Sequence, residues 1–213
     1  MIRVHTALLS VSEKTGLGDL ALGLHQLGIQ IISTGGTARH LRELGIPVTE
    51  VSTVTGFPEI LGGRVKTLHP VIEGGILARR DKPEDLEDLK RHGITPIDLV
   101  VCNLYPFEKK MEEGESNLDV LVEEIDIGGV TLLRAAAKNW KHVVVVSSPA
   151  QYGELLEELH KNGGFPEEKS LLWAIEAFAR TSRYDGSIAT YLDTIRTGNT
   201  FPQYLTIQLK KVT

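Results

Sequence analysis

Apolar and polar positions change period several times along the chain, and each change marks an element. Thr6 to Ser10 (TALLS) is a short apolar run with the length of a buried strand. From Thr15 to Leu27, residues Leu17, Leu20, Ala21, Leu24 and Leu27 recur at helical spacing, and Gly28 supplies a C-terminal stop. Ile29 to Ser33 is a second strand, Thr37 to Leu44 a short helix closed by Gly45, and Pro47 to Val51 a third, weaker strand. Asp98 to Cys102 and His142 to Val146 are two more core strands. Helices over Pro83 to His92, Asn117 to Glu124 and Val130 to about Asn139 lie among them. Strands alternating with helices across tight connections predict a three-layer α/β architecture around a parallel sheet.

Residues 52–80 break that rhythm. Glycines 56, 62, 63, 74 and 75 and prolines 58 and 70 predict a long, loop-rich excursion, and long loops in compact domains often carry function. Beyond the last strand, Pro166 opens a helix expected to turn Leu171, Leu172, Ile175 and Phe178 inward. A second helix follows, with Tyr184, Ile188, Tyr191 and Leu192 on one side. The tail from Tyr204 to Val212 alternates Leu205, Ile207 and Leu209 with Thr206, Gln208 and Lys210. That period of two predicts one covered face, packed on its own domain or on a second subunit. The expected organisation is one domain over 1–213, with a core of about 1–150 and a helical extension and tail over 151–213.

The 213 residues are 41% hydrophobic and 24% charged, enough to bury a full core. A net charge of −5 excludes a surface built to coat nucleic acid or an anionic membrane, but allows a local basic pocket. The one cysteine, Cys102, cannot form an internal disulfide, and no Cys/His cluster has zinc spacing. No apolar run approaches the roughly 20 residues of a membrane span. The N-terminus enters a strand at once, without the pattern of a secretory signal. A cytoplasmic protein is expected.

Ligands of open α/β sheets bind beyond the carboxyl ends of the strands. The core strands empty into polar residues there, within Ser10 to Thr15, Ser33 to Thr37, Cys102 to Phe107, and Ser147-Ser148. Ser33-Thr-Gly-Gly-Thr37 has the composition of a phosphate cradle. Its glycines admit an anion close to the backbone, its hydroxyls donate, and a helix N-terminus follows. Lys14 adds a full charge. The competing reading is a plain strand-to-helix turn with Thr37 as N-cap.

Gly62-Gly-Arg64-Val-Lys66-Thr67-Leu-His69-Pro70 is the densest stretch. If extended, it presents Arg64 and Lys66 on one side, where two cations repel unless an anion lies between them. The alternative is a solvated basic loop. His69 is read as a loop hydrogen bonder.

Asp126-Ile127-Gly128-Gly129 precedes a helix carrying Arg134 and Lys138. An acid at the start and a lysine at the end both complement the helix dipole. The small residues between the two cations allow something to approach closely. On an unbroken helix Asp126 and Lys138 lie roughly 15 Å apart. Both touch one ligand only if it is long, the helix is interrupted, or a second subunit contributes. Tyr105, with Pro106 stiffening its turn, can donate a hydrogen bond, stack on a planar ring, or simply anchor the turn. Cys102 reads as core rather than nucleophile.

Taken together, SVSEKTG (10–16), STGGTA (33–38), GFPEILGGRVKTLHP (56–70), GGILARR (74–80), CNLYPF (102–107), EEIDIGGVTLLRAAAKN (123–139) and AFARTSRYDGSIATYL (177–192) have a joint meaning. The chain resembles the cyclohydrolase half of the bifunctional AICAR transformylase/IMP cyclohydrolase family, from about Leu8 to its C-terminus. The resemblance implies a methylglyoxal-synthase-like α/β fold and closure of FAICAR (5-formamidoimidazole-4-carboxamide ribonucleotide) to IMP with loss of water. It implies no metal or organic cofactor, and a homodimer. The chain ends before any motif like the family's transformylase opening. Transformylase activity is therefore expected to be absent here, with a separate transformylase as a possible partner.

The resemblance marks Lys66, Tyr105, Asp126 and Lys138 as the chemical group. Ser12, Lys14, Thr34, Gly35, Gly36 and Thr37 are expected to hold the phosphate, and Arg64 and Thr67 the far end of the base. Cys102, Asn103, Ile127 and Gly128 complete the expected substrate contacts. Two other readings share the phosphate loop. A methylglyoxal synthase resembles a pattern with acids where this chain has Asn103 to Tyr105 and Arg64. A non-catalytic nucleotide sensor needs none of Lys66, Tyr105 and Lys138.

Overall fold

The structure, a computed structural model, describes residues 1–105, 107, 117–198, 201–207 and 209. Pro106, and Gln208, Lys210 and Val212 of the alternating tail, lie outside the described residues. Five strands form one parallel sheet: β1 (Thr6–Val11), β2 (Gln30–Ser33), β3 (Thr49–Glu50), β4 (Leu99–Asn103) and β5 (Val144–Val146). Their spatial order is β3-β2-β1-β4-β5. The chain reverses direction across the sheet between β1 and β4, where Ser10 pairs with Cys102 and Val11 with Asn103. That pair of carboxyl ends is the topological switch point, the place where such sheets open a crevice.

The central strands are aliphatic and buried: Leu8, Leu9, Leu99 and Val100 have no exposed surface. This is the pattern of a parallel sheet covered on both faces. Helices α1 (Leu17–Gln26) and α2 (Gly35–Glu43) follow β1 and β2. The interval 52–80 is more ordered than its glycines and prolines predict. It holds part of α3 (Val51–Thr55), a 3₁₀ turn over Leu61–Gly63, and α4 (Pro70–Leu77). Pro70 occupies the first turn of α4, where it costs no hydrogen bond. His69 caps that helix, its Nδ1 accepting the Val71 N–H at 3.2 Å. Gly75 is there for close approach, since a Cβ at that position would lie 2.7 Å from the Thr95 carbonyl oxygen.

The remaining helices among the described residues are α5 (Pro83–Arg91), α6 (Leu118–Glu123), α7 (Gly128–Lys138), α8 (Tyr152–Asn162) and α9 (Glu167–Thr197). The sequence reading missed α8, whose buried residues are Tyr152, Leu155 and Leu159. It also divided α9 into two helices and assigned the wrong face to the first half, while Tyr184, Ile188 and Tyr191 of the second half do share an inward side. The helix is continuous and buries Ser170, Trp173, Ala174, Ala177, Thr181 and Tyr184. Leu171, Leu172, Ile175 and Phe178 are exposed instead. α9 packs along α7 and β5. Small residues let helices approach closely, so Ala135–Ala137 of α7 are buried while the large aliphatics of α9 are displaced outward. In this chain Leu205, Ile207 and Leu209 are all exposed, so the face expected to be covered is not covered by its own fold.

Candidate functional site

A cleft of about 560 Å³ opens at the carboxyl edge of β1, β2 and β4. The exit of β1 supplies Ser10, Ser12 and Lys14. Asn103, at the end of β4, fastens this loop: its Oδ1 accepts the Ser12 and Glu13 N–H groups at 2.7 and 3.0 Å. Its Nδ2 donates to the Glu13 carbonyl at 2.9 Å. Asn103 lines the cleft, but its amide is committed to holding the Ser12–Lys14 loop.

β2 empties into α2, which starts at Gly35 with Thr34 as its extended N-cap. No side chain caps this end. The first intrahelical bond runs from the Ala38 N–H to the Thr34 carbonyl, so the earlier amides are the orphan donors of a helix start. They carry the positive end of the dipole toward the cleft. Thr37 is not the N-cap. Its buried hydroxyl donates to the Val11 carbonyl at 3.1 Å and accepts the Val11 N–H at 3.2 Å, tying α2 to β1. The Thr34 hydroxyl lies 3.2 Å from that of Ser10. Gly36, Thr34 and Thr37 line the cleft, whereas Gly35 faces a neighbouring pocket beside Glu59.

The Gly62–Thr67 stretch forms another wall. It is not an extended strand: Gly62 (φ +65°) and Gly63 (φ +92°) sit in left-handed conformations and Arg64 follows in helical geometry. The two cations do not depend on one shared anion. The Arg64 Nε lies 3.6 Å from Glu123 and the Lys66 Nζ 3.8 Å from Glu59. Thr67 is buried against the start of α7, where a Cβ on Gly128 would lie 2.9 Å from the Thr67 Oγ1.

Asp126 lies within the linker between α6 and α7. Its Oδ1 accepts the Gly129 N–H at 2.7 Å, and a Cβ at position 129 would collide with the carboxylate. Burial raises the carboxyl above its ordinary value of 3.8, while the Gly129 and Tyr105 backbone N–H groups and the Lys66 charge pull it back only in part. Tyr105 is half exposed in the cleft wall. Burial, and then the charges of Asp126, Glu124 and Glu59, raise its phenol.

Ser12, Lys14, Thr34, Gly36, Thr37, Arg64, Lys66, Thr67, Asn103, Tyr105, Asp126, Ile127 and Gly128 therefore line one cleft. Three expected residues do not: Gly35, which faces the neighbouring pocket, Cys102 and Lys138. Cys102 is 1% exposed beneath Gly129, whose carbonyl lies 3.7 Å from its Sγ, and burial drives its thiol pKa well up. Lys138 is exposed at the far end of α7. An unbroken rise of about 1.5 Å per residue puts it roughly 15 Å beyond Gly128. Sequence reasoning overlooked Glu59 and Glu123. Both lie inside the quoted motifs, and their opposite charge to the nearby basic pair was the available signal.

A family model described as MGS-like domain matches residues 16–131, and one described as AICARFT/IMPCHase bienzyme matches residues 136–213. The Bifunctional purine biosynthesis protein PurH of Rippkaea orientalis (strain PCC 8801 / RF-1) is 54% identical over 208 residues. The alignment covers 94% of this chain and 40% of that protein, so the chain spans well under half the length of that relative. A solved structure described as Crystal structure of ForH is similar with a TM-score of 0.76 at 40% identity. That likeness covers 87% of this chain and 97% of the other.

Proposed function

Because the chain belongs to the MGS-like domain family and from residue 136 matches the AICARFT/IMPCHase bienzyme family, we propose that it is an IMP cyclohydrolase. It would close FAICAR to IMP with loss of water, the last step of purine synthesis, as a hydrolase of the class acting on cyclic amidines. The observation that carries the reading is one cleft gathering an uncapped helix start, Lys14, and the group Lys66, Tyr105 and Asp126.

Ring closure joins the carboxamide nitrogen to the formyl carbon. The formyl oxygen becomes an alkoxide, the carboxamide nitrogen gives up one proton and the formamido nitrogen another, and the oxygen departs with both as water. An amide nitrogen is a weak nucleophile, so geometry must do much of the work. The amides of α2, with Ser12 and Lys14, hold the ribose 5′-phosphate. Arg64 and Thr67 hold the far end of the base. Lys66 and Tyr105 donate to the developing oxyanion, and the raised phenol keeps Tyr105 a protonated donor. Asp126, oriented by the Gly129 and Tyr105 backbone N–H groups, offers a remaining carboxylate lone pair to the carboxamide proton.

Calorimetry tests the anchor. IMP is expected to bind about 100-fold or more tighter than inosine, which lacks the phosphate, since a charge-assisted contact is worth about 1.5–3 kcal/mol. Lys14→Ala should weaken IMP about tenfold and leave inosine unchanged. Equal affinity for IMP and inosine would overturn the reading.

A homodimer is part of the proposal. Leu171, Ile175 and Phe178 recur at helical spacing on an uncovered face of α9, with the Arg134 guanidinium 5.7 Å from the Phe178 ring centroid. A second copy against this face buries it and lets Lys138, too far from its own cleft, serve that of a neighbour. Mixing inactive Lys66→Met and Lys138→Ala subunits should then restore activity. No recovery in a mixture shown to exchange subunits would mean Lys138 does not act across an interface. The cytoplasmic location and the whole-chain domain follow from the same reading, which leaves formyl transfer to a transformylase outside these residues.

A further inference from the structure

We propose that Tyr184, on α9, is a positioning residue that fixes the Asp126 carboxylate in the cleft by clamping the backbone on which it stands. The inference rests on the catalytic reading of Asp126. The Tyr184 hydroxyl accepts the Asp126 N–H at 2.8 Å and donates to the Glu124 carbonyl at 3.1 Å. It thus pins the linker between α6 and α7 on either side of Ile125, where the chain leaves α6 at Glu124 and turns toward α7 through Asp126. These backbone groups lie between two helices. A part-buried N–H left without a partner is costly, so the linker conformation depends on this hydroxyl.

The carboxylate has a separate anchor, the Gly129 N–H of α7. Its main chain is therefore tied to α9 and its side chain to α7. Tyr184 is itself held rigidly. It is 6% exposed and packs edge-on to Phe107, with ring centroids 6.4 Å apart. Phe107, Leu121 and Tyr184 form a small apolar cluster separate from the main core. The cluster joins α9 to α6 and the end of the β4 loop, at the elements that carry the site. Tyr184 does no chemistry of its own. Its hydroxyl proton and an oxygen lone pair are committed to backbone, and burial raises its phenol to about 12, which keeps it neutral.

Tyr184→Phe keeps the ring and removes the clamp. A displacement of an ångström in a reacting group can cost about 100-fold. The expected result is a kcat lower by about 10- to 100-fold, with KM for FAICAR within about twofold. Introduced into Asp126→Asn, the same substitution should change kcat less than about threefold, because Tyr184 acts only through Asp126. Should Tyr184→Phe not fold, Phe107→Leu loosens the ring while keeping the hydroxyl. It should show a smaller kcat loss that likewise disappears in the Asp126→Asn background. An unchanged kcat overturns the inference, as does an equal loss with and without the Asp126 carboxylate. A parent protein that does not turn over FAICAR overturns the catalytic reading and this inference together. An active parent with an unaffected variant overturns the inference alone.

Discussion

Lys66→Met is expected to lower kcat for ring closure by about 100- to 1,000-fold, the usual cost of one oxyanion donor, with KM within a few-fold. Methionine keeps the length and apolar stem of the side chain and removes only the charged donor. The charge matters most once the formyl oxygen becomes an alkoxide, so its loss should fall on the transition state rather than on substrate binding. The fold should not suffer. The lysine's ion-pair partner, Glu59, is half exposed at 3.8 Å, and an exposed pair of that kind contributes about 0–1 kcal/mol. Steady-state kinetics alongside thermal melting separates the two effects. A variant with unchanged melting and unchanged kcat would remove Lys66 from the mechanism.

Asp126→Asn is expected to cost about 100- to 10,000-fold in kcat, the range for a general base. It should also change the shape of the pH profile. As a proton acceptor, Asp126 works only when ionised, so the rate of the parent protein rises with pH through its pKa. Burial raises that pKa above 3.8, which moves the acid limb to higher pH than an ordinary carboxylate would give. The asparagine variant should lack this limb.

Stability runs the other way. A carboxyl whose folded-state pKa is raised holds its proton more tightly when folded. Its contribution is therefore most favourable below the unfolded value and declines as pH rises through the folded one. Asparagine retains an oxygen for the Gly129 N–H and carries no charge to desolvate. At neutral pH the variant should melt at or above the parent. A melting temperature well below it would mean that the carboxylate is structural.

The contrast between these residues and Lys138 shows what a sequence can reveal. Strand cores such as LLS and DLVVC were legible because an apolar run in a parallel sheet is buried on both sides. The phosphate-type turn was legible because Gly35-Gly36 opens a helix immediately after a strand. Helix α4 was hidden because Pro70, Gly74 and Gly75 look like breakers. Pro70 sits where its missing N–H is harmless, and Gly75 lets the helix press on Thr95. The inward face of α9 was misread because burial there follows fit rather than hydrophobicity: Ser170, Ala174 and Ala177 pack while Leu172 and Ile175 stay outside.

The site shows the same division. Lys66, Tyr105 and Asp126 belong to three distant segments, and the fold brings them into one cleft. Asn103 and Thr37 sit where expected, but their side chains hold neighbouring backbone. Only geometry shows which polar group is free for a ligand and which is already spent. Tyr184 was quoted within a motif, yet its hydrogen bonds cross 58 residues of sequence to Asp126, a distance that no local pattern encodes.

The most direct test of the central claim is an absorbance assay for IMP formation from FAICAR by the purified chain, with EDTA present. The account predicts catalysed ring closure, insensitive to the chelator and lost in Lys66→Met and Asp126→Asn. IMP binding without any turnover would contradict it and leave a nucleotide-binding domain in place of an enzyme.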